Sequence, residues 1–265
     1  MWILRLNSTF LCYFHLNPTY LFARRRALRR EAGKLWQHAQ DRQKTKIQLR
    51  SNALRRKIDA WVKFQALYYP GVEMLRTNAI NESNRQTDFK PYEYPLWLPS
   101  QVEHHARVPK LLQEIEWKIR YAQAHEALRE LRHQLQLRAY LFKFKDRFVR
   151  GQGANTRARN AISVVEARLD GVAEEYRNSF HALQSLAPIL LEFRWKEELL
   201  PLMPEDIRDL SEGKAGESEG KRTMSWIWRT GIAGASAQSD GESSNENLLD
   251  RELQIHWIVW VLNAV

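Results

Sequence analysis

The sequence predicts an all-α protein built on one long antiparallel, coiled-coil-like helical hairpin, and three observations carry that expectation. Glycine and proline are sparse, at 11 and 9 of 265 residues, while Leu, Ala, Arg, Glu and Gln are abundant and favour helices. Apolar residues recur at spacings of three and four over two long stretches, and few runs alternate with the period of two that a half-buried strand requires. The 44% apolar and 11% aromatic content is enough for a real core in one or two domains.

Residues 1–22, MWILRLNSTFLCYFHLNPTYLF, form an apolar leader without an acidic residue. Arg5, Asn7, His15, Asn17 and Pro18 interrupt it, which argues against a transmembrane span. No small-x-small cleavage site precedes Arg24–Arg26, which argues against a secretory signal. A mitochondrial presequence and a misplaced start of translation stay open as alternatives.

Residues 23–69 read as one very basic helix. Leu54, Ile58, Trp61 and Tyr68 fall on one stripe, with Arg55, Arg56, Lys57 and Lys63 off it. Pro70-Gly71 ends the helix, because proline lacks the backbone donor and disfavours the helical region in the residue before it. Residues 70–109 contain Pro91, Pro95, Pro99 and Pro109 and read as an ordered connector rather than a regular element.

Residues 110–188 hold the hairpin. Trp117, Tyr121, Ala124, Leu128, Leu131, Leu135, Arg138 and Phe142 make a heptad seam with one polar intruder, Arg138. A second seam runs Ile162, Val165, Leu169, Val172, Tyr176, Ser179, Leu183 and Leu186 before Pro188. The two seams should pair antiparallel about a tip at residues 151–155, GQGAN, with arms of about 50 Å. Leu111, Ile115, Ile119, Phe144 and Phe148 lie off the seam and need another surface. The Trp61 stripe of the basic helix would supply it in a three-helix bundle, and a second copy of the chain is the alternative.

Residues 189–230 read as short helices punctuated by Pro201 and Pro204, followed by a segment with Trp226 and Trp228. Residues 231–247, GIAGASAQSDGESSNEN, have the composition of a disordered linker. Residues 248–265 start a C-terminal helix whose apolar run, LQIHWIVWVLNAV, is too short to cross a bilayer comfortably.

Charge is distributed unevenly. Residues 1–70 hold 15 Lys/Arg against 3 Asp/Glu, whereas residues 188–265 hold 8 against 14, within an overall balance of +10. Such asymmetry fits a polyanionic partner, nucleic acid or an anionic membrane, and equally fits long solvated helices. The single cysteine, Cys12, excludes an internal disulfide framework and a Cys-rich zinc site, which makes an intracellular setting the default.

No nucleophile elbow, Walker phosphate loop or His-Glu-x-x-His helix is present. The Gly151-Gln152-Gly153 step follows a helix rather than a strand, so it reads as helix punctuation and no cofactor is expected. Glu103, His104 and His105 are adjacent on the chain and point apart, and His125 and His133 stand two helical turns apart, so no metal is expected either. Glu114, Glu116, Glu126 and Glu130 are read as partners of nearby Lys and Arg.

Two basic groups are the candidate nucleic-acid contacts. Lys143, Lys145, Arg147, Arg150, Arg157 and Arg159 crowd the hairpin tip beside Phe144 and Phe148, a set able to neutralise phosphates and stack bases. In the alternative reading the two phenylalanines are core against another helix. Arg24, Arg25, Arg26, Arg29 and Arg30 form the second group.

Four segments taken in order resemble the region downstream of the catalytic core in the Kyakuja-Dileera-Zisupton transposases of mushroom-forming fungi. They are IDAWVKFQALYYPGVEMLR, PYEYPLWLPS, IEWKIRYAQAHEALRELRHQLQLRAYLFKFKDRFVRGQGANTRARN and SEGKAGESEGKRTMSWIWRT, and they span about Ala53 to Thr230. The resemblance implies transposon ancestry without catalysis by this chain. Such a transposase uses a ribonuclease-H-like core whose acidic residues hold divalent metal, often with a cysteine-rich module upstream, and the resemblance places this chain after both. No carboxylate here matches a catalytic position, so no catalytic residue is carried over. The family's Leu-x-Ile-Glu-Trp helix departs here to LQIHWIVWVLNAV, which suggests truncation or altered splicing.

The function expected is thus a non-catalytic helical accessory fragment that retains DNA or subunit binding, the alternative being a coiled-coil scaffold without a nucleic-acid role. Expected partners are DNA, a second copy or the parent transposase, with neither a small-molecule substrate nor a membrane. The expected location is the nucleus ahead of the cytoplasm.

Overall fold

The computed structural model describes residues 18–33, 40–68, 70–82, 90–102, 108–210 and 223–229. Residues 1–17 of the expected leader, the expected linker at 231–247 and the expected C-terminal helix at 248–265 lie outside these residues. Among the described residues there is no strand. The helices are α1 (Pro18–Gly33), α2 (Asp41–Tyr68), α3 (Val72–Glu82), α4 (Pro99–Val102), α5 (Lys110–Phe148), α6 (Gln152–Leu190) and α7 (Trp195–Glu198), with 3-10 turns at Pro204–Asp206 and Trp226–Trp228. The fold is all-α, and α5 and α6 pack closely as the hairpin. The chain divides into two compact units, residues 1–118 with 182–191 and residues 119–181 with 192–265.

In the first unit the basic segment expected as one helix is two, α1 and α2, with residues 34–39 between them outside the described part. The start of α1 at Pro18 falls inside the expected leader, where proline's fixed φ suits a first helical turn. Leu54, Ile58 and Trp61 of α2 are buried as their spacing predicts, in a cluster with Leu21 and Leu28 of α1 and with Leu96 and Leu98. The surface covering the Trp61 stripe in this cluster is α1 and the connector, a source of burial that periodicity does not name.

Polar bonds fix the connector there. The Trp61 indole N–H donates to the Leu96 carbonyl at 3.1 Å, and the Gln65 amide donates to the same oxygen at 3.2 Å and to the carbonyl of Trp97. Trp97 sits at φ 50°, a left-handed conformation that a bulky residue adopts only when its surroundings hold it. The Gln65 side-chain oxygen in turn accepts from Arg76 on α3.

That α3 exists corrects the reading of residues 70–109 as lacking regular elements. Pro70-Gly71 ends α2 as expected, but the Glu73 N–H bonds the Pro70 carbonyl at 3.0 Å and a new helix starts at once. Its Val72 and Leu75 face Val102 and Leu112 in a second apolar cluster, and that burial is what stabilises so short a helix.

The second unit contains most of the hairpin. Every position of the second seam is buried, from Ile162 to Leu186. In the first seam Ala124, Leu128, Leu131 and Leu135 are buried, whereas near the tip Leu141 replaces the expected Phe142, at 7% against 41% exposed. Arg168 on α6 pairs with Glu130 on α5 at 3.2 Å, consistent with antiparallel register. Pro188 does not stop α6, which ends two residues later with Leu191 at φ 58°. A proline in the last turn costs one backbone bond without displacing the residues after it.

The segment after α6 packs on the hairpin within this unit. Trp195, Leu199, Leu202, Ile227 and Trp228 are buried, and the Phe180 and Trp195 rings meet edge to face at 5.0 Å. Its carbonyls are taken by hairpin side chains: Tyr176 donates to Leu200 at 2.6 Å, Arg177 to Leu202 at 3.0 Å and Arg132 to Ile227 at 2.5 Å. A chain without its own ladder has its backbone polar groups satisfied this way.

Candidate nucleic-acid interface

The tip of the hairpin is built by a turn of three residues, Val149 to Gly151, and not by GQGAN. Gly151 stands at φ 85°, where an L-residue with a β-carbon is strained, and its carbonyl accepts both the backbone N–H of Asn155 at 3.1 Å and the Asn155 side-chain amide at 3.0 Å. One left-handed residue therefore closes α5 and opens α6. Gly153, Ala154 and Asn155 are already helical.

The six cations expected at the tip have different roles. Arg150 donates from one Nη1 to the carbonyls of Asp146 and Val149, at 3.1 Å each, so it caps the open end of α5. Lys145 is half-buried, and with Arg147 it lies in the last turn of α5, where positive charge complements the carbonyl end of the helix dipole. Lys143, Arg147, Arg157 and Arg159 are exposed. The last two flank buried Ala158, one on each side of the α6 stripe. Residues 131–165 contain eight Lys/Arg and a single acid, Asp146, so the tip is a concentrated positive surface.

The aromatic residues do not act as core here. Phe148 is 68% exposed, Tyr140 is 42% exposed and Phe144 is half-buried. Their rings form a continuous row, with centroids 6.3 Å apart between Tyr140 and Phe144 and 5.4 Å apart between Phe144 and Phe148. Tyr140 was missed from the sequence, although its spacing of four from Phe144 and again to Phe148 was the available signal.

The amino-terminal group is divided. Arg24, Arg29 and Arg30 are exposed on α1, whereas Arg25 and Arg26 are half-buried. The Arg25 guanidinium lies over the Phe22 ring at 5.4 Å, and burial, then the charge of Arg29, lower its pKa to about 10. Arg25 thus contributes to packing. This group and the tip belong to different units.

Among the described residues no cluster of three or more His, Cys, Asp or Glu could hold a metal ion, and no helix is long and apolar enough to cross a membrane. Glu103, His104 and His105 lie outside those residues. His125 lies 3.5 Å from Glu198 and His133 lies 3.7 Å from Glu130. Glu114 and Glu126 pair with Lys110 at 3.9 Å and Arg129 at 2.7 Å, as expected from helical spacing. The Glu116 carboxylate is buried and also accepts from Ser100. No family model matches the chain, and no curated protein or solved structure shows significant similarity to it.

Proposed function

We propose that this chain is a helical accessory segment of a transposon-derived transposase, without catalysis of its own, which contacts DNA through the tip of its hairpin. The observation that carries the reading is the set of exposed cations Lys143, Arg147, Arg157 and Arg159, gathered by a three-residue turn onto a surface with one nearby acid. Four such charges can replace condensed counterions on a phosphate backbone, and their release drives association. The resemblance of four ordered segments to the Kyakuja-Dileera-Zisupton transposases supports the proposed ancestry, and a basic tip at the end of a long helical arm supports the proposed DNA contact.

Titration of the purified chain against labelled DNA at rising salt tests this. Affinity should fall steeply between about 50 mM and 200 mM salt. A flat or absent response would favour a coiled-coil scaffold whose helical faces hold protein partners.

A further inference from the structure

Resting on that reading, we propose that the tip takes single-stranded nucleic acid, with bases stacked on the Tyr140, Phe144 and Phe148 row and phosphates held by Lys143 and Arg147. The row is a geometric feature separate from the charge. Residues four apart on a helix stand one above another, and the observed centroid spacings of 6.3 and 5.4 Å show the three rings in register along α5. Lys143 and Arg147 are themselves four apart, and each stands three residues after a ring of the row, Tyr140 and Phe144 respectively. A row of cations therefore runs beside the row of rings, matching the alternation of phosphate and base along one strand.

The form of the nucleic acid follows from what each form offers. A duplex presents phosphates and base edges while its base faces stay in the stack, so a surface row of rings adds little to binding it. An unpaired strand presents base faces, and stacking them on aromatic side chains adds affinity without regard to sequence. Phe148 supports the assignment because it is the most exposed of the three rings and lies in the final turn of α5, beside the tip cations. Charge complementarity selects a polyanion over an apolar helix as the occupant, since Asp146 is the only acid among residues 131–165.

The test compares the full chain and its Phe148→Ala and Phe148→Trp variants, using an oligothymidine of about twenty nucleotides and a duplex of equal length. Phe148→Ala should weaken oligothymidine binding roughly 5- to 100-fold and Phe148→Trp should restore it, with duplex affinity changing less than about 2-fold. Phe148 is exposed, so unchanged helicity by circular dichroism is expected for both variants. Equal losses on both probes, or no loss on oligothymidine, would overturn the stacking inference while leaving DNA contact intact. Failure of the chain to bind either probe would overturn both.

Discussion

The buried carboxylate of Glu116 accepts both the backbone N–H and the hydroxyl of Ser100, each at 2.8 Å. Ser100 lies in the single turn of α4, and Glu116 lies on α5, so one side chain ties the connector to the first turns of the hairpin helix within the first unit. A one-turn helix has no internal cooperativity, and such a bond substitutes for it. Glu116→Ala leaves the Ser100 donors without this acceptor and should lower stability by about 3 kcal/mol. Glu116→Gln retains one acceptor oxygen and should lose about half as much. Denaturant unfolding checks the ranking, and equal losses would contradict it.

Arg150 and Gly151 serve the turn. Arg150→Ala should cost about 1 kcal/mol through loss of two capping bonds, with a smaller effect on DNA affinity than Arg147→Ala. Gly151→Ala should cost roughly 1 to 2 kcal/mol, because φ 85° crowds a β-carbon against the neighbouring carbonyl. Apart from its two chain neighbours no atom lies within 4 Å of that added carbon, so the penalty comes from the local backbone conformation alone. Thermal unfolding of the two variants separates these effects from binding.

Replacing Lys143, Arg147, Arg157 and Arg159 together by alanine should reduce the slope of log affinity against log salt by about 3 to 4, one for each lost phosphate contact. Helicity should stay constant, since these side chains are exposed. An unchanged slope would move the contact to Arg24, Arg29 and Arg30 on α1.

Tyr176 links pH to the second unit. Burial, then the negative charge of Asp206, raise its pKa above the usual phenol range. Tyr121 is likewise pushed up to about 12 by burial, then by its hydrogen bond to Glu198 and that group's charge. Both phenols stay protonated in the folded chain at a pH where the unfolded chain ionises, so stability should hold to about pH 10 and fall above it. Tyr176→Phe should cost about 1 kcal/mol at neutral pH and flatten the alkaline fall, measured by unfolding midpoints across pH.

Much of the helical pattern was legible in the sequence, because an amphipathic helix repeats its buried face every 3.6 residues and a long seam averages out local exceptions. Ile162 to Leu186 shows this, with all eight seam positions buried. The pattern failed in two places: Leu141 took the place of Phe142 near the tip, and α3 was hidden because its eleven residues carry too little periodicity to stand out. Of the candidate site, the basic composition of the tip was readable. The difference between Arg150, which caps α5, and Arg147, which faces solvent, was not, because both are arginines in one turn and only carbonyl geometry separates them.

The sequence by itself determined the all-α class, the two seams and the concentration of charge at their junction. Tertiary structure decided that α1 and Leu96 cover Trp61, that Tyr176, Arg177 and Arg132 bind carbonyls of the chain after α6, and that Phe148 stays in solvent. Periodicity encodes which face of a helix is apolar. Which distant backbone group or side chain meets that face depends on contacts between residues far apart in the chain, and those are fixed only when the elements pack.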